Sequence, residues 1–159
     1  EGGYLMDQAR STTGLETIPM MGSDALYTTE IGTAAGADAD GFKVTGNDPQ
    51  QFSAAYTSHF VPAYTAKFGV APSGGAYSAY GYDAFRLIKL AIVSVAVPQP
   101  NGHLLIGRTA LRNALYATTG ITGLTGTLTC TATGDCAATP AIGVFEYQIS
   151  LSNFVRLWP

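Results

Sequence analysis

A short apolar segment near the N-terminus limits the folds open to this chain. Residues 17–22 read Thr-Ile-Pro-Met-Met-Gly, and a stretch so short, apolar and bounded by glycine is typical of a buried parallel strand. Residues 3–13 precede it with apolar side chains at helical spacing, and Gly14 is placed to end that helix. The predicted strand delivers Ser23 and Asp24 at its carboxyl end, which is the edge of an open α/β sheet where ligands bind.

Strand and helix patterns continue along the chain. Residues 32–40 are rich in Ala, Gly and Asp and predict a loop, and residues 41–45 predict a second strand. Asp48 then supplies an N-cap, with Pro49 at the first helical position. Aromatic residues recur at every fourth position of the predicted helix, at Phe52, Tyr56, Phe60 and Tyr64. Pro62 is expected to kink or break this helix.

The strongest helical pattern follows a predicted loop at residues 71–75. Its apolar stripe is formed by Tyr82, Phe85, Ile88, Ile92 and Val95. The charged side chains Asp83, Arg86 and Lys89 share the opposite side, so the pattern predicts an amphipathic helix with an apolar side and a charged side. One more helix is expected to end before Gly120, and residues 125–131 and 142–149 alternate as β structure. The predicted class is α/β with a β-rich tail.

The composition favours a folded domain and argues against several kinds of partner. The 159 residues are 47% hydrophobic and only 12% charged, which excludes the composition of disordered chains. The net charge of −3 comes from scattered residues, so nucleic acid is not an expected partner. Residues 90–97 form the longest apolar stretch, well short of the roughly 20 residues that cross a bilayer. The chain does not start with Met, so any signal sequence is expected to have been removed or to lie upstream.

The two cysteines, Cys130 and Cys136, flank five residues in a Thr-rich run that predicts a tight β-hairpin. Across an antiparallel pair they can face each other and form a disulfide, which would indicate an oxidising compartment; the alternative is two reduced surface thiols. Closing so short a loop stabilises a fold by only about 2 kcal/mol. Two cysteines without a neighbouring His supply too few ligands for zinc, so no metal site is predicted.

Several motifs follow one another in an order that resembles the leucine/isoleucine/valine-binding protein family, the substrate-binding components of branched-chain amino acid ABC transporters. They are Gln8-Ala9-Arg10, Met21-Gly22-Ser23-Asp24, and Tyr-Ser-Ala-Tyr-Gly-Tyr-Asp-Ala at residues 77–84. Residues 123–126, 133–135 and 140–145 are similar to the family's closing glycine-flanked strand, hairpin and final strand. The resemblance implies part of a type I periplasmic-binding-protein fold, a parallel sheet flanked by helices with a β-hairpin tail.

Family members are about twice as long as this chain, the size of two lobes. The resemblance therefore implies that residues 1–70 are the remainder of the second, C-terminal ligand-binding lobe. Residues 71–159 are then the crossover segment, with a long helix, a further helix and the hairpin, that returns to the first lobe. The upstream half of the parent protein is expected to be absent, as in a natural fragment, a proteolysis product or a trimmed chain.

The resemblance also implies a ligand site in the cleft between the lobes. In the family a carboxylate after the Met-Gly strand end holds the ligand's ammonium group, and Asp24 occupies that place, with Ser23 able to add a hydroxyl or an amide. Tyr77 matches the aromatic residue that lines the ligand's side chain, and Tyr80 is a second candidate from the same turn. From the residues alone, the alternatives are an N-cap role for Asp24 over residues 25–30 and ordinary packing for either tyrosine.

The usual motifs of catalysis are missing from the sequence. No Gly-x-Ser-x-Gly elbow, His-Glu-x-x-His pair or Cys with a positioned His occurs, and the isolated His59 and His103 are expected to be solvated. The glycine-rich residues 120–126 lead into a strand and not into a helix, so turn geometry explains them better than a phosphate site. The chain is predicted not to be an enzyme; a hydrolase that uses Asp24 and Asp83 is the least favoured alternative.

The function implied by the resemblance is that of an extracytoplasmic solute-binding component of an ABC importer. It would bind an amino acid of the branched-chain type, or a related amide, without a cofactor, and deliver it to the permease subunits in the membrane. The expected location is the periplasm or the cell exterior, with or without a lipid anchor. The alternative is a ligand-sensing domain of a receptor or regulator on the same fold. A homodimer, in which two copies exchange elements, is a further option for a chain of this length.

Overall fold

The computed structural model describes residues 1–72, 77–137 and 141–158. Its backbone contacts divide these residues into two compact units. Unit 1 contains residues 1–48 and 142–158, and unit 2 contains most of the residues between them, from Pro49 to Ala141. This division falls at 48/49 and 141/142, whereas the sequence placed a boundary at 70/71; the assignment of these segments to lobes of a parent protein stays a prediction.

The described residues form five helices and nine strands. The helices are α1 (Gly2–Arg10), α2 (Glu30–Ala35), α3 (Val61–Phe68), α4 (Tyr77–Val95) and α5 (Arg108–Tyr116). The strands are β1 (Met21–Gly22), β2 (Lys43–Asn47), β3 (Val97–Pro98), β4 (Leu104–Leu105), β5 (Ile121–Thr122), β6 (Thr127–Cys130), β7 (Cys136–Ala137), β8 (Ile142–Gln148) and β9 (Asn153–Trp158). Short 3-10 turns lie at Asp24–Leu26, Gly36–Ala39, Pro49–Gln51 and Ile149–Leu151, and a π-helical turn at Tyr56–Phe60 leads into α3. No helix in the described part of the chain is long and apolar enough to cross a membrane.

Unit 1 is built on a mixed four-stranded sheet in the order β1-β2-β8-β9. β1 and β2 run parallel, with Gly22 opposite Val44, and β8 and β9 extend the sheet in antiparallel register. α1 and α2 cover it, with a core of Met6, Ile31, Ala35, Ala39, Phe42, Val44, Phe145 and Tyr147. The α/β class predicted from the sequence is therefore confirmed.

Two predictions for unit 1 need correction. Residues 32–40 were expected to form a loop, but α2 and the following 3-10 turn occupy most of them, because Ile31, Ala35 and Ala39 are buried in the core. The strand predicted at 17–22 is reduced to its last two residues. The segment before it is held as a turn by the Arg10 guanidinium, which donates to the carbonyl oxygens of Glu16 and Ile18 at 2.9 and 2.8 Å.

Unit 2 combines helices with two small sheets, a β3-β4 pair and a three-stranded antiparallel sheet in the order β5-β6-β7. The aromatic row expected at Phe52, Tyr56, Phe60 and Tyr64 is confirmed and extends to Phe68, with successive ring centroids 4.6 to 5.8 Å apart. The helix expected to start at Pro49 is not: a 3-10 turn occupies Pro49–Gln51, and Phe52 lies outside a helix. The helical backbone continues without interruption from residue 54 to 68 and changes from a π-helical turn to α-helix at Val61. The break expected near Pro62 is therefore not found, and the expected kink stays a prediction. The Cys130–Cys136 disulfide joins β6 to β7, as predicted.

The buried side of α4 is not the one that the sequence pattern indicated. The buried residues are Ala79, Asp83, Leu87 and Ala91. Of the predicted apolar stripe, Phe85 is 69% exposed and Ile88 is 45% exposed. Small side chains on the buried side let the helix approach its neighbours closely, and Asp83 tolerates burial because backbone and hydroxyl donors of the segment after β5 surround its carboxylate.

Candidate functional site

The carboxyl end of β1 places Ser23 and Asp24 at one edge of the unit 1 sheet. The backbone of Ser23 is still extended, and the chain then turns sharply, with the Leu26 amide donating to the Ser23 carbonyl oxygen at 3.0 Å. Ser23 occupies the N-cap position of this turn and Asp24 its first residue, and both are exposed. The strand end therefore presents a hydroxyl and a carboxylate side by side in sequence, at an edge that is open to solvent.

Gly22 allows this sharp turn by close packing and not by unusual dihedral angles. A Cβ atom at position 22 would lie 2.7 Å from Leu26 Cδ1 and 2.9 Å from Phe42 Cζ, closer than real contacts of this kind. A larger residue would force the Leu26 side chain and the Phe42 ring to shift. The Met-Gly strand end thus sets where Asp24 lies.

A buried ion pair at the end of β2 was not foreseen from the sequence. Asp48 is fully buried, and its Oδ2 atom lies 2.6 Å from Nε and 2.5 Å from Nη2 of Arg156 on β9. The sequence assigned Asp48 only an N-cap role, and a separation of 108 residues hides its partner. A buried carboxylate is tolerated when a cation and hydrogen bonds compensate it. The pair ties β9 to the same edge of the sheet to which β1 and β2 deliver their carboxyl ends.

Tyr27 is a second residue at this edge that the sequence gave no reason to select. Its ring stacks on Phe145, with centroids 4.4 Å apart, and meets Phe154 edge-on at 5.0 Å. Burial, and then the negative charge of Asp48, raise the pKa of the Tyr27 phenol above its usual value of 10.0. The phenol is therefore protonated at neutral pH. Gly46 makes room for the ring, since a Cβ there would lie 2.6 Å from Tyr27 Cδ1.

The two tyrosines proposed from the sequence lie on the first turn of α4, in unit 2. Tyr77 is 51% exposed. Tyr80 is 36% exposed, and its ring packs edge-on against Phe52, with centroids 5.7 Å apart. Burial, and then the charge of Asp83, raise the pKa of Tyr80. Tyr77 is thus the more accessible ring, whereas Tyr80 has a clear packing role.

Unit 2 also contains an open cavity of about 510 Å³ with largely apolar walls. Phe60, Tyr82 and Leu124 contribute apolar surface, and Arg86 and His59 contribute polar groups. The Arg86 guanidinium donates to the Thr122 carbonyl oxygen, which holds it against the wall. Ser23, Asp24, Tyr77 and Tyr80 are not among the residues that line this cavity.

The chemistry offered by these groups is recognition by charge and hydrogen bonds. A carboxylate such as Asp24 binds an ammonium group through charge-assisted hydrogen bonds, and a half-exposed tyrosine ring offers apolar contact together with a hydroxyl. Within residues 1–72, 77–137 and 141–158, no group of three or more His, Cys, Asp or Glu side chains is placed to hold a metal ion.

Comparison with known proteins shows the fold. No protein-family model and no curated protein matches this sequence. Solved structures do match, among them a leucine-binding protein from Thermotoga maritima, with 22% identity and a TM-score of 0.70 over 98% of this chain and 40% of that one. A branched-chain amino acid transporter substrate-binding protein from Streptococcus pneumoniae, in complex with isoleucine, is 21% identical, with a TM-score of 0.65 over 98% of this chain and 41% of that one. A type 1 periplasmic binding protein from Bordetella pertussis is 20% identical, with a TM-score of 0.68 over 99% of this chain and 44% of that one.

These likenesses confirm the resemblance noted in the sequence at the level of the fold. The chain has part of the type I periplasmic-binding-protein fold and spans less than half the length of the structures it matches. Two of the motifs that carried the resemblance, at residues 21–24 and 77–84, build the turn after β1 and the start of α4.

Proposed function

We propose that this chain is part of the extracytoplasmic solute-binding component of an ABC importer. Its parent protein binds an amino acid of the branched-chain type, or a related amide, between two lobes. The observation that carries the proposal is the match of 98% of the chain to substrate-binding proteins, including structures described with isoleucine and with leucine bound. Fold alone hosts many functions, so the proposal depends equally on the site residues.

In the proposed site Asp24 receives the ammonium group of the ligand. Its exposure at the carboxyl end of β1 and its fixed position after the tightly packed Gly22 support this role. Ser23 adds a hydroxyl or its backbone amide from the same turn. A carboxylate that becomes partly dry when a cleft closes makes stronger hydrogen bonds than it does in water.

The tyrosines at the start of α4 line the side chain of the ligand in this proposal. Tyr77 offers the larger exposed ring surface, and Tyr80 contributes from beside Phe52. An apolar side chain placed against such rings gains roughly 25 cal/mol for each Å² of surface removed from water. This preference for an apolar group together with an ammonium group matches a branched-chain amino acid.

The role does not require catalysis or a cofactor. The parent protein delivers its ligand to the permease subunits of the importer from the periplasm or the outer face of the membrane. Lobe closure about a hinge couples ligand capture to that delivery.

Thermal unfolding of the parent protein tests the proposal directly. Leucine, isoleucine and valine, and then a panel of amides and nucleosides, are added one at a time; a ligand at 100 times its dissociation constant stabilises by about 2.7 kcal/mol. Asp24→Ala is expected to abolish the shift produced by the active ligand. Asp7→Ala, which removes an exposed carboxylate from α1, is the matched control and is expected to keep it. A panel without any selective shift, or a shift that survives Asp24→Ala, would contradict the assignment.

A further inference from the structure

The cavity of unit 2 lies between three segments of the chain. The helical residues 54–68 form one wall, Tyr82 and Arg86 of α4 form a second, and residues 122–124 form a third. Its volume of about 510 Å³ falls within the range of roughly 300–1,000 Å³ that is usual for small-molecule sites. The amino acid site proposed above uses none of the residues that line it, so the cavity is a separate candidate site.

Hydrogen bonds and a ring contact hold the three walls together. The Leu124 carbonyl oxygen accepts the Ser53 amide at 2.9 Å, and the Leu124 amide donates to Asp83 Oδ1 of α4 at 2.8 Å. The Phe60 and Tyr82 rings meet edge-on, with centroids 5.4 Å apart. These contacts preform the cavity, so a ligand loses little affinity to the ordering of its walls.

The charged and polar groups at the cavity favour an anion. Arg86 carries a permanent positive charge, His59 adds its ring nitrogens, and none of the described lining residues is acidic. The Thr122 carbonyl oxygen accepts one N–H of the Arg86 guanidinium, which has five. Asp83, one turn away, directs both of its oxygens to residues 124 and 125. Within the described residues no carboxylate forms an ion pair with Arg86, so its charge is available beside apolar side chains.

We propose that this cavity binds a small organic carboxylate with an apolar body, such as an arylalkanoate. The remaining N–H groups of Arg86 hold the carboxylate through charge-assisted hydrogen bonds, and His59 donates a further hydrogen bond from its ring. Phe60, Tyr82 and Leu124 contact the apolar body. Because the described lining residues offer no carboxylate to an ammonium group, the cavity discriminates against free amino acids.

Calorimetric titration of the parent protein tests this site with a matched pair of probes. 3-Phenylpropionate supplies a carboxylate on an apolar body, and 3-phenylpropionamide has nearly the same shape without the charge. The acid is expected to bind at least about tenfold more tightly than the amide, because hydrogen bonds to a charged group are stronger than those between neutral groups. This comparison needs no substitution, so it does not depend on the folding of a variant.

Substitutions then locate the bound acid. Arg86→Gln is expected to weaken the binding of 3-phenylpropionate at least about tenfold. Arg112→Gln, at an exposed arginine of α5 that does not line the cavity, is the matched control and is expected to bind as before. In proton NMR spectra the Hε1 signal of His59 is expected to shift during the titration and that of His103 to stay; His59→Gln and His103→Gln assign the two signals. Binding is expected to be unchanged by saturation with leucine and by Asp24→Ala.

Several results would overturn the proposal. They are the absence of saturable binding of the acid, equal affinity for the acid and the amide, full binding to Arg86→Gln, and a shift at His103 as large as that at His59. Displacement of the acid by leucine would place the probe in the amino acid site and would overturn the proposal as well. The proposal does not depend on the function proposed above, so a parent protein that binds the acid in this cavity but binds no amino acid would refute only that function.

Discussion

Asp83 is the residue whose replacement tests most sharply how unit 2 is held together. It is 3% exposed on the buried side of α4. Its Oδ1 atom accepts the Leu124 amide at 2.8 Å, and its Oδ2 atom accepts the Thr125 amide at 2.9 Å and the Thr125 hydroxyl at 2.8 Å. Gly123 packs directly beside it, since a Cβ there would lie 2.5 Å from Oδ2. One carboxylate thus fixes the segment after β5 to the long helix.

Asp83→Asn keeps the shape of this side chain but replaces one acceptor oxygen with an NH₂ group. At least one buried donor of residues 124 and 125 then loses its partner and faces another donor. Hydrogen bonds to a charged group contribute about 1.5–3 kcal/mol each, and an unsatisfied buried donor costs about 1–3 kcal/mol. We therefore expect a loss of about 3 kcal/mol from the free energy of unfolding. Against a typical total of about 5–15 kcal/mol, this is a large part of the stability.

Urea denaturation measures this loss, and amide hydrogen exchange locates it. The Leu124 and Thr125 amides are expected to exchange about a hundredfold faster in Asp83→Asn, because opening becomes easier by about 3 kcal/mol. Asp135→Asn is the matched control, at an exposed carboxylate of the same unit, and is expected to change stability by less than about 0.5 kcal/mol. If the free energies of unfolding of Asp83→Asn and of the original chain differ by less than about 0.5 kcal/mol, the range of ordinary surface substitutions, the carboxylate does not hold this segment.

Three further predictions concern other parts of the chain. Arg156→Met leaves the buried carboxylate of Asp48 without its cation and is expected to lower the free energy of unfolding, measured in urea, by about 3–5 kcal/mol. Adding Asp48→Asn is expected to restore part of this stability, and no recovery would refute the ion-pair explanation. Reduction of Cys130–Cys136 releases a short loop and is expected to cost about 2 kcal/mol, measured by thermal unfolding with and without reductant; a loss of twice that size would refute the loop-entropy account. Folding raises the pKa of Tyr27, so the stability that its protonated phenol contributes is complete below about pH 10 and is lost as the pH rises through the folded pKa. Tyr27→Phe is expected to flatten this decline of the free energy of unfolding at alkaline pH, and an unchanged decline would exclude Tyr27 as its source.

The sequence by itself determined those features that depend on near neighbours in the chain. The α/β class followed from short apolar segments between helical patterns, and the aromatic row followed from the four-residue spacing of its members. The disulfide followed from a hairpin short enough to bring Cys130 and Cys136 opposite each other. The turn that exposes Ser23 and Asp24 followed from a glycine at a strand end, although their role in binding stays a prediction.

Only the tertiary structure decided which groups meet across long distances in the chain. Asp48 and Arg156 are 108 positions apart, and Asp83 is 41 positions from Leu124, so no periodic pattern reveals either partnership. The side of α4 that is buried was decided in the same way. A hydrophobic stripe predicts which side of a helix is buried only if the charged side of that helix finds no hydrogen-bond donors in the interior. Donors of residues 124 and 125 surround the Asp83 carboxylate, so the side with Asp83 is buried and Phe85 lies at the surface of this chain.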